Sequence, residues 1–436
     1  MSVYLSITIF GLILLCSLSA QENNTLLGKN NDTDVFFERH KKLWLNPVYG
    51  TLADSNTQIY MVNYDQDKRQ SDIREWPNVT YYVMSNLHNV IEHATTLAVN
   101  KNGSNYEIIK AIVSAIPLKT DPAFPPIIYP EILVIVDYSL YKKLDGNLWK
   151  IVPYLLAFWN GVDMRFRSLN NPRVRLNIAK ILIAEDRRAL TYTRSYLDNR
   201  RNLDARGSIN DKKIWLYEQK NVVPLDSYDI AITMTSDAMY LLPFDNNLSN
   251  GVPIKGLASG KACLADHRLR RAMNVAIVND EGAYDGIMAA AHEIGHLLGA
   301  DHDYDNKSCG PFHGYVMSPY LAYRTTSWNW SPCSQLNFRN FLRSGNGTCL
   351  FNKPKEGIEI PRLLPGKLMD ANEQCKILGS SSAVELEDFI CVDLACYEND
   401  NATVTKFYRF GAADGTKCGD GKICLHGSCL YEKSIT

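Results

Sequence analysis

One run, Ala291-His292-Glu293-Ile294-Gly295-His296-Leu297-Leu298-Gly299-Ala300-Asp301-His302-Asp303, sets three histidines and three acids at intervals a metal site could use. His292 and His296 stand four apart, so on a helix they share one face, a turn apart, and can grip a single ion. Ile287, Met288, Ala291, Ile294, Leu297 and Leu298 recur at the spacing such a helix needs. Gly299 suits a left-handed residue just past the helix end, and the sharp turn brings His302 back as a third ligand. Three neutral imidazoles fill three positions around Zn²⁺ and leave the fourth open for water, the arrangement of a catalytic site and not of a structural one. Zinc lowers the pKa of that water to about 7, and Glu293, beside the first histidine, is placed to take its proton. An ordinary amphipathic helix can carry His-Glu-x-x-His by chance. Gly299 and His302, at their added spacing, make that reading the weaker one. Downstream, Gly314-Tyr315-Val316-Met317-Ser318-Pro319 offers a tight turn with a methionine that would alone read as core packing.

These groups need a scaffold. Glu131 to Asp137 is a continuous apolar run of the kind found in a strand buried on both faces. A helical stretch follows from about Leu148 to Phe166, then an alternating one from Val174 to Ile183, then a helix near Asp211 to Gln219. Ile230 to Met234 and Val275 to Val278 supply two more strands. Strands alternating with helices predict an α/β sheet, mostly parallel. Upstream, residues 21–126 carry strand-like pieces at Gln58 to Val62 and Thr80 to Val83, and the stretch closes in the Pro-rich run Pro122 to Pro126, an expected boundary. From Lys353 the character changes: Pro354, Pro361, Pro365, Gly357 and Gly366 form a linker. Cys375, Cys391, Cys396, Cys418, Cys424 and Cys429 follow, a density that marks residues 353–436 as a small disulfide-rich module. A zinc knuckle is the alternative use of those cysteines, disfavoured if the chain is secreted.

With 436 residues, 46% apolar and 21% charged, the chain buries a real core in two or three compact units. A formal net charge of -1 provides no global field for nucleic acid or an anionic membrane. Residues 1–20 read as a cleaved secretory signal, apolar from Val3 to Leu18 and ending at Ser19-Ala20. Of eleven cysteines, Cys16 stands in that segment, none lies between residues 17 and 262, and ten follow, which suits five disulfides in an oxidising compartment. Nine glycosylation sequons point the same way, at Asn23, Asn31, Asn78, Asn102, Asn247, Asn306, Asn329, Asn346 and Asn401. No second long apolar run occurs, so the expectation is a secreted, extracellular monomer without a membrane anchor.

The long histidine motif with Asp303 after its third histidine, together with Met317 as a Met-turn, resembles the reprolysin (adamalysin) branch of the metzincins, shared by snake venom metalloproteases and the ADAM and ADAMTS proteases. The resemblance covers about Glu131 to Asn352 and implies a twisted mixed sheet above the zinc, a long zinc-binding helix, and a pro-region at residues 21–126 ahead of a protease domain at 127–352. Ser331 as N-cap and Pro332 at the first helical position suggest the last helix, through about Leu342. By the same resemblance a peptide substrate lies along an edge strand at Gly256, Leu257 and Ala258. Cys263 should pair with Cys349 and Cys309 with Cys333. A calcium ion is implied at Glu131, Asp229, the Cys349 carbonyl and Asn352. The tail resembles the cysteine-rich segment of ADAMTS proteases, and the module order looks most like the secreted salivary metalloproteases of ticks. The function implied is a zinc endopeptidase acting on extracellular matrix or clotting proteins. The other reading is a non-catalytic binding protein that works through its tail. One departure concerns latency: many relatives keep the zymogen silent with a pro-region cysteine, and residues 21–262 contain none. Lys68-Arg69, a dibasic pair of the pro-region, is a poor maturation site.

Overall fold

The computed structural model describes residues 52–54, 57–75, 121–242, 251–304, 308–320, 324–355, 362–384, 387–399 and 404–432. The signal segment 1–20 with Cys16, the strand expected at Thr80 to Val83 and the sequons at Asn23, Asn31, Asn78, Asn102, Asn247, Asn306 and Asn401 lie outside them.

Seven strands form the main sheet: β1 (Gln58–Asp65), β2 (Gln70–Glu75), β3 (Glu131–Val136), β4 (Asn177–Ala184), β5 (Ile230–Thr235), β6 (Gly256–Asp266) and β7 (Arg271–Asn279). Their order is β6-β7-β5-β3-β4-β1-β2. The five central strands, β7 through β1, run parallel, and each edge is closed by an antiparallel partner, β6 on β7 and β2 on β1. β3 sits mid-sheet, and Ile132 to Val136 are all fully buried, as a strand covered on both faces requires.

The hairpin β1–β2 precedes the expected boundary at Pro122 to Pro126 yet belongs to this sheet. β1 pairs with β4 from Gln58↔Lys180 to Val62↔Ala184, and Tyr60 and Val62 share an apolar cluster with Leu133, Ile135 and Leu182. Polar anchors add to it: Trp215 Nε1 donates to Ser71 Oγ at 2.8 Å, and Thr57 Oγ1 donates to the Ile178 carbonyl at 3.2 Å.

Helix α1 (Leu148–Phe166) is capped by Asn147, whose side chain accepts from Trp149 N, and every residue from Tyr154 to Phe166 is buried. A helix apolar nearly all round must be enclosed. It lies against the zinc-motif helix, where Ile287 packs on Gly161, and against the C-terminal module. Helix α2 (Ala205–Glu218) covers one face of the sheet through Ile209, Trp215 and Leu216. Helix α3 (Ile287–Leu297) carries the histidine motif, and α4 (Pro332–Arg343) starts at the expected N-cap, with Ser331 Oγ accepting from Ser334 N at 3.0 Å.

The C-terminal module contains a short helix, α5 (Ala371–Ile377), opened by a capping box between Asp370 and Glu373, and two small three-stranded sheets. Disulfides Cys375–Cys396, Cys391–Cys424 and Cys418–Cys429 staple it. All six cysteines are spent on one another, which leaves no thiolate for a zinc knuckle. The module docks on α1: Arg165 pairs with Asp414 at 3.0 Å, Arg362 with Asp163 at 2.7 Å, and Asn160 Nδ2 donates to the Leu363 carbonyl at 2.7 Å. Burial alone would raise the Asp163 carboxyl. The Arg362, Arg167 and Arg175 guanidiniums outweigh it and hold the group at about 2.

Candidate metal centre

Helix α3 buries Ile287, Ala290, Ala291, Ile294 and Leu297 on its core side. It ends where Gly299 takes φ 99°, a left-handed conformation that costs glycine nothing, and where Ala300 N donates to Gly295 O at 2.9 Å. The chain then doubles back and places His302 beside the first two histidines. His302 Nε2 lies 3.1 Å from His292 Nε2 and 3.2 Å from His296 Nε2.

The other ring nitrogens show what these three atoms can be. His292 Nδ1 lies 2.7 Å from the Val316 carbonyl, and His296 Nδ1 lies 2.9 Å from the Ala300 carbonyl. A carbonyl only accepts, so each Nδ1 carries the proton and each of these Nε2 atoms is a bare lone pair. Burial pushes His292 down to about 3, with His296 beside it adding to the effect, and burial pushes His296 down to about 4. Burial lowers His302 too. Neutral imidazoles with convergent lone pairs repel unless a cation stands among them, so the donor set fits Zn²⁺. His302 Nδ1 lies 3.0 Å from the Tyr304 hydroxyl, a contact that steadies the third ring.

Glu293 shares the helix turn but faces the sheet. It is 5% exposed, and its Oε2 has no hydrogen-bond partner. Burial raises its pKa to about 8, with the Ala258 N–H pulling back. Above it runs β6, in register with β7 as Gly256↔Val278, Leu257↔Ile277 and Ala258↔Ala276. Its other edge pairs with no strand among the described residues. A Cβ built on Gly256 would stand 2.5 Å from Glu293 Oε1, so the absent side chain is what lets the carboxylate lie under the strand. Lys255 fixes the start of that strand: its Nζ meets Asn279 Oδ1 at 2.6 Å and Asp285 Oδ2 at 2.9 Å, in the loop leading into α3. Lys261 Nζ donates to the His296 carbonyl at 3.1 Å. Neither the role of Gly256 nor these two lysines stood out in the sequence, because both depend on where β6 lies over α3.

Met317 is fully buried, with its sulfur under the helix backbone at Gly295. Asp303 N donates to the Met317 carbonyl at 2.9 Å, and Asp303 Oδ1 accepts from Ser331 Oγ at 2.6 Å. The residue after the third histidine thus ties the turn below the site to the N-cap of α4. Disulfides Cys263–Cys349 and Cys309–Cys333 are formed as the resemblance implied, the second bracing this turn to α4. The group suggested for calcium is also assembled: Glu131 N donates to Asp229 Oδ2 at 2.9 Å, and Asn352 Nδ2 donates to Glu131 Oε2 at 2.7 Å. Cys349, bonded to Cys263, could offer an ion only its carbonyl.

Three convergent imidazoles, a buried carboxylate on the same helix and an open strand edge above them define a metallohydrolase centre of the metzincin kind. Residues 236–354 match the family model described as Reprolysin (M12B) family zinc metalloprotease, and residues 365–430 match ADAMTS cysteine-rich domain 2. The chain is 36% identical over 318 residues to a protein of Bombyx mori named "A disintegrin and metalloproteinase with thrombospondin motifs like", covering 71% of this chain and 45% of that one. It is 28% identical over 260 residues to venom metalloproteinase 3 of Eulophus pennicornis, covering 58% of each. It thus spans about half the length of these two relatives. The chain thus carries a reprolysin-type zinc metalloprotease domain followed by an ADAMTS-type cysteine-rich module.

Proposed function

We propose that the chain is a secreted zinc-dependent endopeptidase that cleaves extracellular proteins, in which His292, His296 and His302 hold the metal and Glu293 is the general base. The observation that carries this reading is the commitment of the His292 and His296 Nδ1 protons to the Val316 and Ala300 carbonyls, which leaves bare Nε2 atoms converging with that of His302. When bound, zinc supplies a Lewis acid for the scissile carbonyl and acidifies water toward a pKa of about 7. The free edge of β6 at Gly256, Leu257 and Ala258 hydrogen-bonds an extended peptide and presents its carbonyl to the site. Glu293 Oε2, unpartnered, takes a proton from water and returns it to the leaving amine. Five disulfides support an oxidising, extracellular setting. Residues 1–20 are proposed as the signal and 353–436 as the substrate-directing module. Calcium at Glu131, Asp229, Cys349 and Asn352 is proposed on the grounds that hard oxygen donors suit it.

Replacing Glu293 with Gln should leave one zinc per chain and an unchanged melting temperature while casein cleavage falls by roughly a hundredfold or more. Undiminished cleavage by that variant sinks the proposal. If the chain's biological effect persists after zinc is stripped with 1,10-phenanthroline, the reading as a binding protein acting through its tail replaces it.

A further inference from the structure

A chain of formal net charge -1 has no global field, yet one surface concentrates cations. The hairpin β6–β7 closes with the pair Asp266↔Arg271, and its tip reads His267-Arg268-Leu269-Arg270. All four tip residues are exposed, with Leu269 at 53%. The one acid of the turn is engaged in shaping it, since Asp266 Oδ1 accepts from Leu269 N at 2.8 Å.

Helix α2 extends this surface. His267 Nδ1 lies 3.2 Å from the Tyr217 hydroxyl, and Lys220 Nζ sits 4.5 Å from the centre of the same ring. Arg271 is close enough to Lys213 to depress its ammonium further, after burial. Tyr217 and Lys220 stand three apart on one face of the helix, while Lys213, a turn earlier on that face, is only 6% exposed and lies beneath the surface. Arg268, Arg270, Arg271, Lys213 and Lys220 make no ion pair among the described residues. Glu218 is the neighbouring acid, about 100° round the helix from Tyr217.

We propose that this hairpin tip and the end of α2 bind a linear sulfated polysaccharide. Cations at Arg268, Arg270 and Arg271 of an exposed turn, spread over about one Debye length, suit a polymer with closely spaced anions. A single small anion would want a pocket or an N–H nest, and the turn projects outward. Nucleic acid is the less suited polymer: Tyr217 is 7% exposed, Leu269 is apolar, and His267 is the one exposed ring of the tip, set edge-on to Tyr217, so the turn offers no row of aromatic faces for stacking successive bases. The five disulfides point to a compartment in which sulfated polysaccharides are the common polyanions. The proposal does not rest on the zinc site. The tip continues β6, so a polymer held there would sit at the far end of the strand proposed to take substrate.

The test is retention of the full-length protein on immobilised heparin. Wild type should be held at about 0.15 M NaCl and elute only at higher salt. The double variant R268E/R270E should bind roughly tenfold more weakly or worse, with an unchanged melting temperature, while R268K/R270K should bind like wild type. K406E/K422E, which removes cations of the cysteine-rich module, should elute with wild type. The proposal is overturned if wild type flows through at that salt, if R268E/R270E elutes with it, or if the loss falls on K406E/K422E instead. Binding to desulfated heparin or to single-stranded DNA as tight as binding to heparin also overturns it. Should R268E/R270E misfold, R268A alone supplies the same comparison.

Discussion

Substituting Gly256 with Ala tests whether β6 and Glu293 are fitted to each other. The new Cβ would stand 2.5 Å from Glu293 Oε1, 2.7 Å from its Cγ and 2.9 Å from its Cδ. Ordinary contacts of this kind settle at about 3.5 Å, so relief requires the carboxylate or the strand to move by about 1 Å. A displacement of that size at a proton-transferring group costs on the order of a hundredfold, or about 2.7 kcal/mol of transition-state stabilisation. The backbone itself should tolerate alanine, because Gly256 is not among the positive-φ glycines. We therefore expect kcat on a fluorogenic peptide to fall by roughly a hundredfold while zinc content and melting temperature hold. Glu293 is not one of the convergent nitrogen donors, so the metal has no reason to leave. A kcat/KM within about threefold of wild type would refute the reasoning, as would a loss of activity that tracks loss of zinc.

Two further outcomes follow from the structure. Burial raises the Asp229 carboxyl to about 8, the Glu131 N–H partly offsets this, and the Glu131 carboxylate adds to it. A folded-state pKa above the unfolded value of 3.8 means that the folded state holds the proton longer. In a calcium chelator the melting temperature should therefore decline as pH rises from about 5 to 8, by up to about 1.4 kcal/mol of stability per unit. Millimolar calcium should flatten that decline in scanning calorimetry, and Asp229→Asn should abolish both effects. Cys263–Cys349 spans 86 residues, and replacing both cysteines by serine should cost about 4–5 kcal/mol in urea unfolding on the chain-entropy estimate.

The zinc motif was legible because its chemistry is local. His292 and His296 need one helix turn, and Gly299 needs one residue of positive φ, so spacing alone carries the geometry. The central strands were legible for a similar reason: Ile132 to Val136 is apolar on both faces, and only a covered strand explains that. Other features depend on contacts far apart in the chain. Arg165 and Asp414 are 249 positions apart, and nothing near either residue announces the pair. Gly256 reads as a common strand glycine until Glu293 is found beneath it. The hairpin β1–β2 hid for another reason: the absence of cysteine and the later proline run suggested a detached segment, whereas strand pairing is indifferent to both.

That hairpin bears on how the protein can be shortened and produced. It closes the sheet at the edge opposite β6, six strand spacings or about 29 Å away, so it does not itself occupy the cleft. Production of a shortened protein starting at Ile127 would remove β1 and bare the whole pairing edge of β4, with Ile181, Leu182 and Ile183 behind it. An uncovered, apolar strand edge recruits other copies of itself, so the shortened chain should aggregate more readily than the longer one. Residues 52–75 therefore belong inside any expression boundary drawn around the main sheet.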